Sequence, residues 1–184
     1  MNQGFVSNDG WMLAVIPNRG QALIVDLKTR TRKFTLDAPN LNSAAFSPDG
    51  KCIATGTWQG RNIRIWKAAT GEFVHKIDTH GSAWPEFSPD GRWMLISTEE
   101  NYRLVEPGTW REVHAIDKEP SGSMPGTAVF SPDTKILAVL YSHAETRLID
   151  PDSGSELARL TSPDSRNRKL RCFRTVQRFL KLSE

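Results

Sequence analysis

Cysteine is nearly missing, with Cys52 and Cys172 the only two in 184 residues. Two thiols so far apart offer neither a disulfide framework nor a zinc-ligand spacing, and Cys52, inside an apolar stretch, is expected in the core. Long hydrophobic runs are missing too. No stretch approaches the roughly 20 apolar residues needed to cross a bilayer as a helix, and the start MNQGFVSNDG lacks the basic and apolar regions of a signal peptide. A cytoplasmic protein is therefore expected. Also absent are a Gly-rich phosphate loop, a GxSxG elbow, an HExxH pair and a paired-Cys motif. The expectation is a chain without cofactor and without catalytic activity.

Net positive charge is confined to one place. From Arg166 onward there are seven Lys or Arg against Glu184 alone, which leaves 17 basic and 20 acidic side chains in the 165 residues before it. A mildly acidic body provides no footprint for a phosphate backbone, so nucleic-acid binding by the main part of the chain is not expected.

What the chain has in quantity is a repeat. The turn FSPDG occurs at Phe46 to Gly50 and Phe87 to Gly91, with VSNDG at Val6 to Gly10 and FSPDT at Phe130 to Thr134, at intervals of 40, 41 and 43 residues. Such a period marks one copied supersecondary unit that must stack on its neighbours to bury its apolar face. After each turn comes a dense apolar stretch (WMLAVI, KCIATG, RWMLIS, KILAVL), then an alternating segment ending in Val25, Trp66, Val105 or Ile149. Density predicts a strand buried on both faces, alternation a half-exposed one. An apolar residue falls eleven positions further on each time, at Leu36, Ile77, Ile116 and Leu160. Turn signals such as Thr70-Gly71, Pro107-Gly108 and Ser153-Gly154 separate the last two segments, and a short strand precedes each FSPDG. Each unit therefore reads as four strands.

Turn, period and strand markers together resemble the WD-repeat β-propellers, over about residues 4–161. The resemblance implies an all-β fold of four four-stranded antiparallel blades of about 41 residues, near 1–37, 38–78, 79–117 and 118–161, in an incomplete ring. The FSPDG turn and phrases such as LVEPGTWREV are most like bacterial members of the family, often fused to serine/threonine kinases. The family's hydrogen-bonded set of His, Ser or Thr, Trp and Asp is never complete here: Trp66 has Thr55 or Thr57 nearby but no preceding His, and His80 precedes a blade without the Trp.

The segment 166–184 has two readings. Phe173 falls 43 residues after Phe130, where a fifth FSPDG is due, so it reads as a truncated or frame-shifted fifth blade. Alternatively Cys172, Phe173, Val176, Phe179 and Leu180 share one face of a basic amphipathic helix able to touch a membrane or a partner groove.

Function by resemblance is a non-catalytic scaffold or sensor module presenting loops to a protein or peptide. The loops joining second to third strands, and one blade to the next, share a face, and they carry the candidate binding residues Trp58, His80, Trp84, Glu99, Glu100 and Met124. The alternatives are a propeller-hosted hydrolase or lactonase, or a non-functional fragment of a larger kinase-linked protein. Self-association through open blade edges is a further expectation. His75 and His114 occupy equivalent outer-strand positions and are expected on a solvated face; Asp9, Asp49, Asp90 and Asp133 are expected to bond local turn amides.

Overall fold

The computed structural model describes residues 3–17, 20–119 and 125–161. Met124, Cys172 and the segment 166–184 with both its readings lie outside them. The described residues form sixteen strands in four sheets, each antiparallel with strands in sequence order. Blade 1 holds β1 (Gln3–Val6), β2 (Met12–Ile16), β3 (Ala22–Asp26) and β4 (Thr31–Leu36). Blade 2 holds β5 (Leu41–Phe46), β6 (Cys52–Thr57), β7 (Asn62–Lys67) and β8 (Phe73–Asp78). Blade 3 holds β9 (Ala83–Phe87), β10 (Met94–Thr98), β11 (Asn101–Glu106) and β12 (Arg111–Asp117), and blade 4 holds β13 (Ala128–Phe130), β14 (Leu137–Leu140), β15 (Glu145–Ile149) and β16 (Glu156–Thr161). Among the described residues no helix is long and apolar enough to cross a membrane. The all-β propeller expected from the repeats is the observed fold, as an open ring.

Local chemistry explains the recurrence of the turn. The hydroxyls of Ser7, Ser47, Ser88 and Ser131 donate to Oδ1 of Asp9, Asp49, Asp90 and Asp133 at 2.5–2.7 Å. Each aspartate also accepts the amide two residues on, and each serine the amide five residues on. Hydrogen bonds from Ser7, Ser47 and Ser131 hold the carboxyls of Asp9, Asp49 and Asp133 below the usual range. The last turn residue is left-handed in all four copies, which suits Gly10, Gly50 and Gly91 but forces Thr134 to φ 61°.

Side chains alternate across each strand, so every sheet has two apolar faces. Ala14, Ile16, Ala22, Ile24 and Leu36 of blade 1 meet Phe46, Ile53 and Trp66 of blade 2. Ala54, Ile63, Ile65 and Ile77 meet Phe87, Met94, Ile96 and Val105 of blade 3. Leu95, Tyr102, Leu104 and Ile116 meet Phe130, Leu137, Val139 and Ile149 of blade 4. Contact is closest where Gly56 passes β9, because a Cβ there would overlap the carbonyl oxygen of Ala83. In every blade the pairing of third and fourth strands slips by one residue at the same place, after Ile24, Ile65, Leu104 and Leu148. Such a bulge increases the local twist of the outer strand.

The outer strands carry His75 exposed, as expected, and His114 half-buried, and each ring also touches the next blade. His75 stacks on Trp110 with ring centroids 6.2 Å apart and planes at 15°. Nε2 of His114 lies 3.1 Å from the Asp152 carbonyl, with Trp93 beside its ring. Asp152 also accepts Nη1 of Arg92 at 2.8 Å and Nε1 of Trp93 at 3.2 Å. Phe34, at the same position in blade 1, lies against Gly71. Aromatic contacts of this kind add to area burial by roughly 0.5–1.5 kcal/mol each.

Candidate functional site

Propeller connectivity puts the second-to-third strand loops and the blade-to-blade loops on one face. Between blades 2 and 3 they enclose a cleft of about 550 Å3 lined by Gln59, Arg61, His80, Gly81, Glu99 and Glu100. Three segments build it: the β6–β7 loop, the β8–β9 connection and the β10–β11 loop. Gln59 and Arg61 are held at φ 56° and 57°, left-handed values uncommon for residues with a side chain. Backbone bonds fix them, since Thr79 N–H donates to the Arg61 carbonyl at 2.8 Å and Gln59 N–H to the hydroxyl of buried Ser82 at 3.2 Å.

Ser82 links the two walls. Its N–H donates to Oε1 of Glu99 at 3.1 Å, which draws the carboxylate across Gly81, where any Cβ would crowd it. Behind Glu99 the buried Lys118 amine is pushed down by burial, with the Glu99 charge acting the other way. Glu99 is therefore a fixed wall. Glu100, His80, Gln59 and Arg61 are exposed, and they give the cleft a basic side and an acidic side.

Of the expected binding residues, His80, Glu99 and Glu100 come together here. Trp58 and Trp84 are half-buried outside the lining; Trp58 N–H is held by the Asn40 carbonyl, and Trp84 on β9 pairs with Ser97 on β10. Met124 lies outside the described residues. Sequence reasoning missed Gln59 and Arg61, whose left-handed backbone carries no residue-type signal.

Two groups bear on chemistry elsewhere. Trp66 Nε1 donates to Oγ1 of Thr55 at 2.8 Å, so Thr55 rather than Thr57 completes the partial WD set. Glu86 on β9 stands where blades 1, 2 and 4 have Phe5, Ala45 and Val129. It opens to solvent, yet the surrounding protein buries it enough to push its carboxyl up to about 7. Among the described residues no group of three or more His, Cys, Asp or Glu is placed to hold a metal ion.

Comparison with known proteins agrees with this architecture. The Arabidopsis thaliana pre-mRNA-processing factor 19 homolog 2 is 30% identical over 125 residues, covering 61% of this chain and 23% of that protein. Among solved structures, Kuenenia stuttgartiensis hydrazine synthase matches with a TM-score of 0.73 at 17% identity, covering 86% of this chain and 48% of that one. The Myceliophteria thermophila Cps50 (Swd1) β-propeller domain matches with a TM-score of 0.72 at 17% identity, covering 86% of this chain and 54% of that one. The chain thus spans under a quarter of the curated relative and about half of each solved structure, and at such identity the structural likeness speaks for fold alone. A sequence model of the family described as eukaryotic translation initiation factor eIF2A matches residues 16–110, more than half of the chain. The chain belongs to that family and is a WD-repeat β-propeller.

Proposed function

We propose that the protein is a non-catalytic interaction scaffold that holds a peptide segment of a partner protein in the cleft between blades 2 and 3. The observation that carries this reading is the convergence of Arg61 on one side and Glu99 and Glu100 on the other, on loops held by Ser82. A cleft with both signs of charge fits an extended segment bearing an acidic and a basic side chain a few residues apart, and rigid walls lower the cost of ordering the peptide. Role as a sensor and linkage to a bacterial kinase belong to the same proposal and rest on the FSPDG resemblance, while placement in the cytoplasm rests on the start MNQGFVSNDG and the lack of a long apolar run.

The test is selection from a random peptide display library against the purified chain, with an Arg61→Glu/Glu100→Lys variant as counter-target. Enrichment of mixed-charge peptides that the variant does not bind is expected. Peptides that bind both proteins equally would contradict the assignment of the cleft.

A further inference from the structure

Blade 2 packs against blade 1 on one side and blade 3 on the other, so its outer strand β8 is an edge that the fold itself leaves open. Open edges are ordinarily blunted by charged side chains. At the pair just past the bulge three blades follow that rule, with Arg32 opposite Val25, Glu112 opposite Val105 and Glu156 opposite Ile149. Blade 2 has Phe73 there, opposite Trp66, and it is 52% exposed. Val74 beside it is 41% exposed, and His75 is exposed as well. These three form an uncharged centre to the edge. They are also held in place in advance, because the Phe73 ring meets Trp66 edge-on at 5.7 Å and His75 stacks on Trp110 at 6.2 Å. Covering them therefore costs little ordering.

Charge marks the two ends. Glu72 comes just before Phe73 and Lys76 just after His75, so the edge reads Glu-Phe-Val-His-Lys. Laid antiparallel on itself about Val74, this segment sets Glu72 opposite Lys76, Phe73 opposite His75 and Val74 opposite Val74. Each charge has a partner in its own blade, Lys67 for Glu72 at 2.8 Å and Asp78 for Lys76 at 2.9 Å, but all four side chains are at least half exposed and keep a side open for a second partner. The overlay then gives a line of alternating sign, Lys67, Glu72, Lys76 and Asp78, that runs from one copy into the other. The outer strands of the other three described blades lack this pattern. The same overlay sets Lys33 against Lys33 in blade 1, and in blades 3 and 4 it sets Arg111 against Ala115 and Ser155 against Arg159, which brings no Lys or Arg to a carboxylate.

We propose that a second copy of this chain docks edge to edge on β8 about a two-fold axis at Val74, with Phe73 of each copy against His75 of the other and Glu72 against Lys76. Aromatic and opposite-charge pairs set directly opposite one another are the kinds that hold neighbouring strands together. The contact is isologous, so each pair occurs twice and assembly stops at two. Five residues from each copy make a small contact, which gives a monomer–dimer equilibrium rather than a permanent dimer.

The experiment is sedimentation equilibrium on the full chain over a concentration series reaching about 1 mM, at which even a Kd of that order puts half of the chains in dimers. The wild type is expected to rise from the 20.6 kDa of one chain towards twice that mass. Glu72→Lys and Lys76→Glu each set like charges opposite one another at both ends, so each variant is expected to dimerise at least about tenfold more weakly. Both positions are exposed, and circular dichroism checks that the strands are retained. An equimolar mixture of the two variants restores both opposite-charge pairs and is expected to regain most of the wild-type affinity as a heterodimer. A wild type that stays monomeric throughout, single variants that dimerise like the wild type, or a mixture no tighter than its components would each overturn the proposal.

Discussion

Replacing Thr55 with Val should expose how strongly the junction between blades 1 and 2 depends on one buried hydrogen bond. Thr55 has no accessible surface, and Trp66, which donates its indole N–H to the Thr55 hydroxyl, is 4% exposed. Valine has nearly the same shape, so no cavity opens, but the indole N–H loses its acceptor. An unsatisfied buried donor costs about 1–3 kcal/mol. The second contact of the hydroxyl, to the Arg64 carbonyl at 3.4 Å, is long and adds little. A loss of about 2 kcal/mol follows, which for a chain of this size lowers Tm by about 4–8 °C. The assay is urea denaturation followed by far-UV circular dichroism, with Trp66→Phe and the double variant completing a cycle. Because the donor is removed as well, the double variant should cost about 1 kcal/mol less than the sum of the singles. A Thr55→Val midpoint equal to the wild type, or an additive cycle, would refute the reasoning.

Thr134→Gly should stabilise the fold by about 1 kcal/mol, raising Tm by about 2–4 °C, since it relieves a left-handed β-branched residue whose buried hydroxyl finds no partner among the described residues; a lower Tm would show that the lost methyl packing outweighs the strain. Gly56→Ala should destabilise by at least about 1–3 kcal/mol, because its Cβ drives the Ala83 carbonyl away and parts blades 2 and 3; an unchanged denaturation midpoint would contradict that packing. Glu86 makes stability depend on pH in the direction opposite to the turn aspartates. Its folded carboxyl is raised to about 7 from 4.5, so the folded state binds the proton more tightly. Stability from this group is fully present below about pH 4.5 and is lost as pH rises through 7. Glu86→Gln should therefore raise Tm at pH 8 and leave it nearly unchanged at pH 4.5, and a Tm difference independent of pH would refute the assignment.

The parts of this molecule that were legible in its sequence are those whose chemistry is local. Ser47 and Asp49 close a turn within five residues, so the motif can be read wherever it recurs, and with it the period and the strand order. The spacing of eleven from Trp66 to Ile77 was legible as a marker; the bulge after Ile65 that it spans was not, since residue type does not signal it. The outer-strand placement of His75 and His114 was legible; their contacts with Trp110 and Asp152 were not, because those residues come from the next blade, 35 and 38 residues further along the chain. The cleft was half legible. His80, Glu99 and Glu100 are polar residues on loops, which sequence flags, whereas Gln59 and Arg61 enter it through a backbone conformation that three separate segments impose together.

The most direct test of the binding account is to follow the amide resonances of the isotope-labelled chain while a selected mixed-charge peptide is added. Shifts centred on residues 59–61, 80–82 and 99–100 are the predicted result. Shifts confined to the opposite face, at the Ser7, Ser47, Ser88 and Ser131 turns, would contradict it.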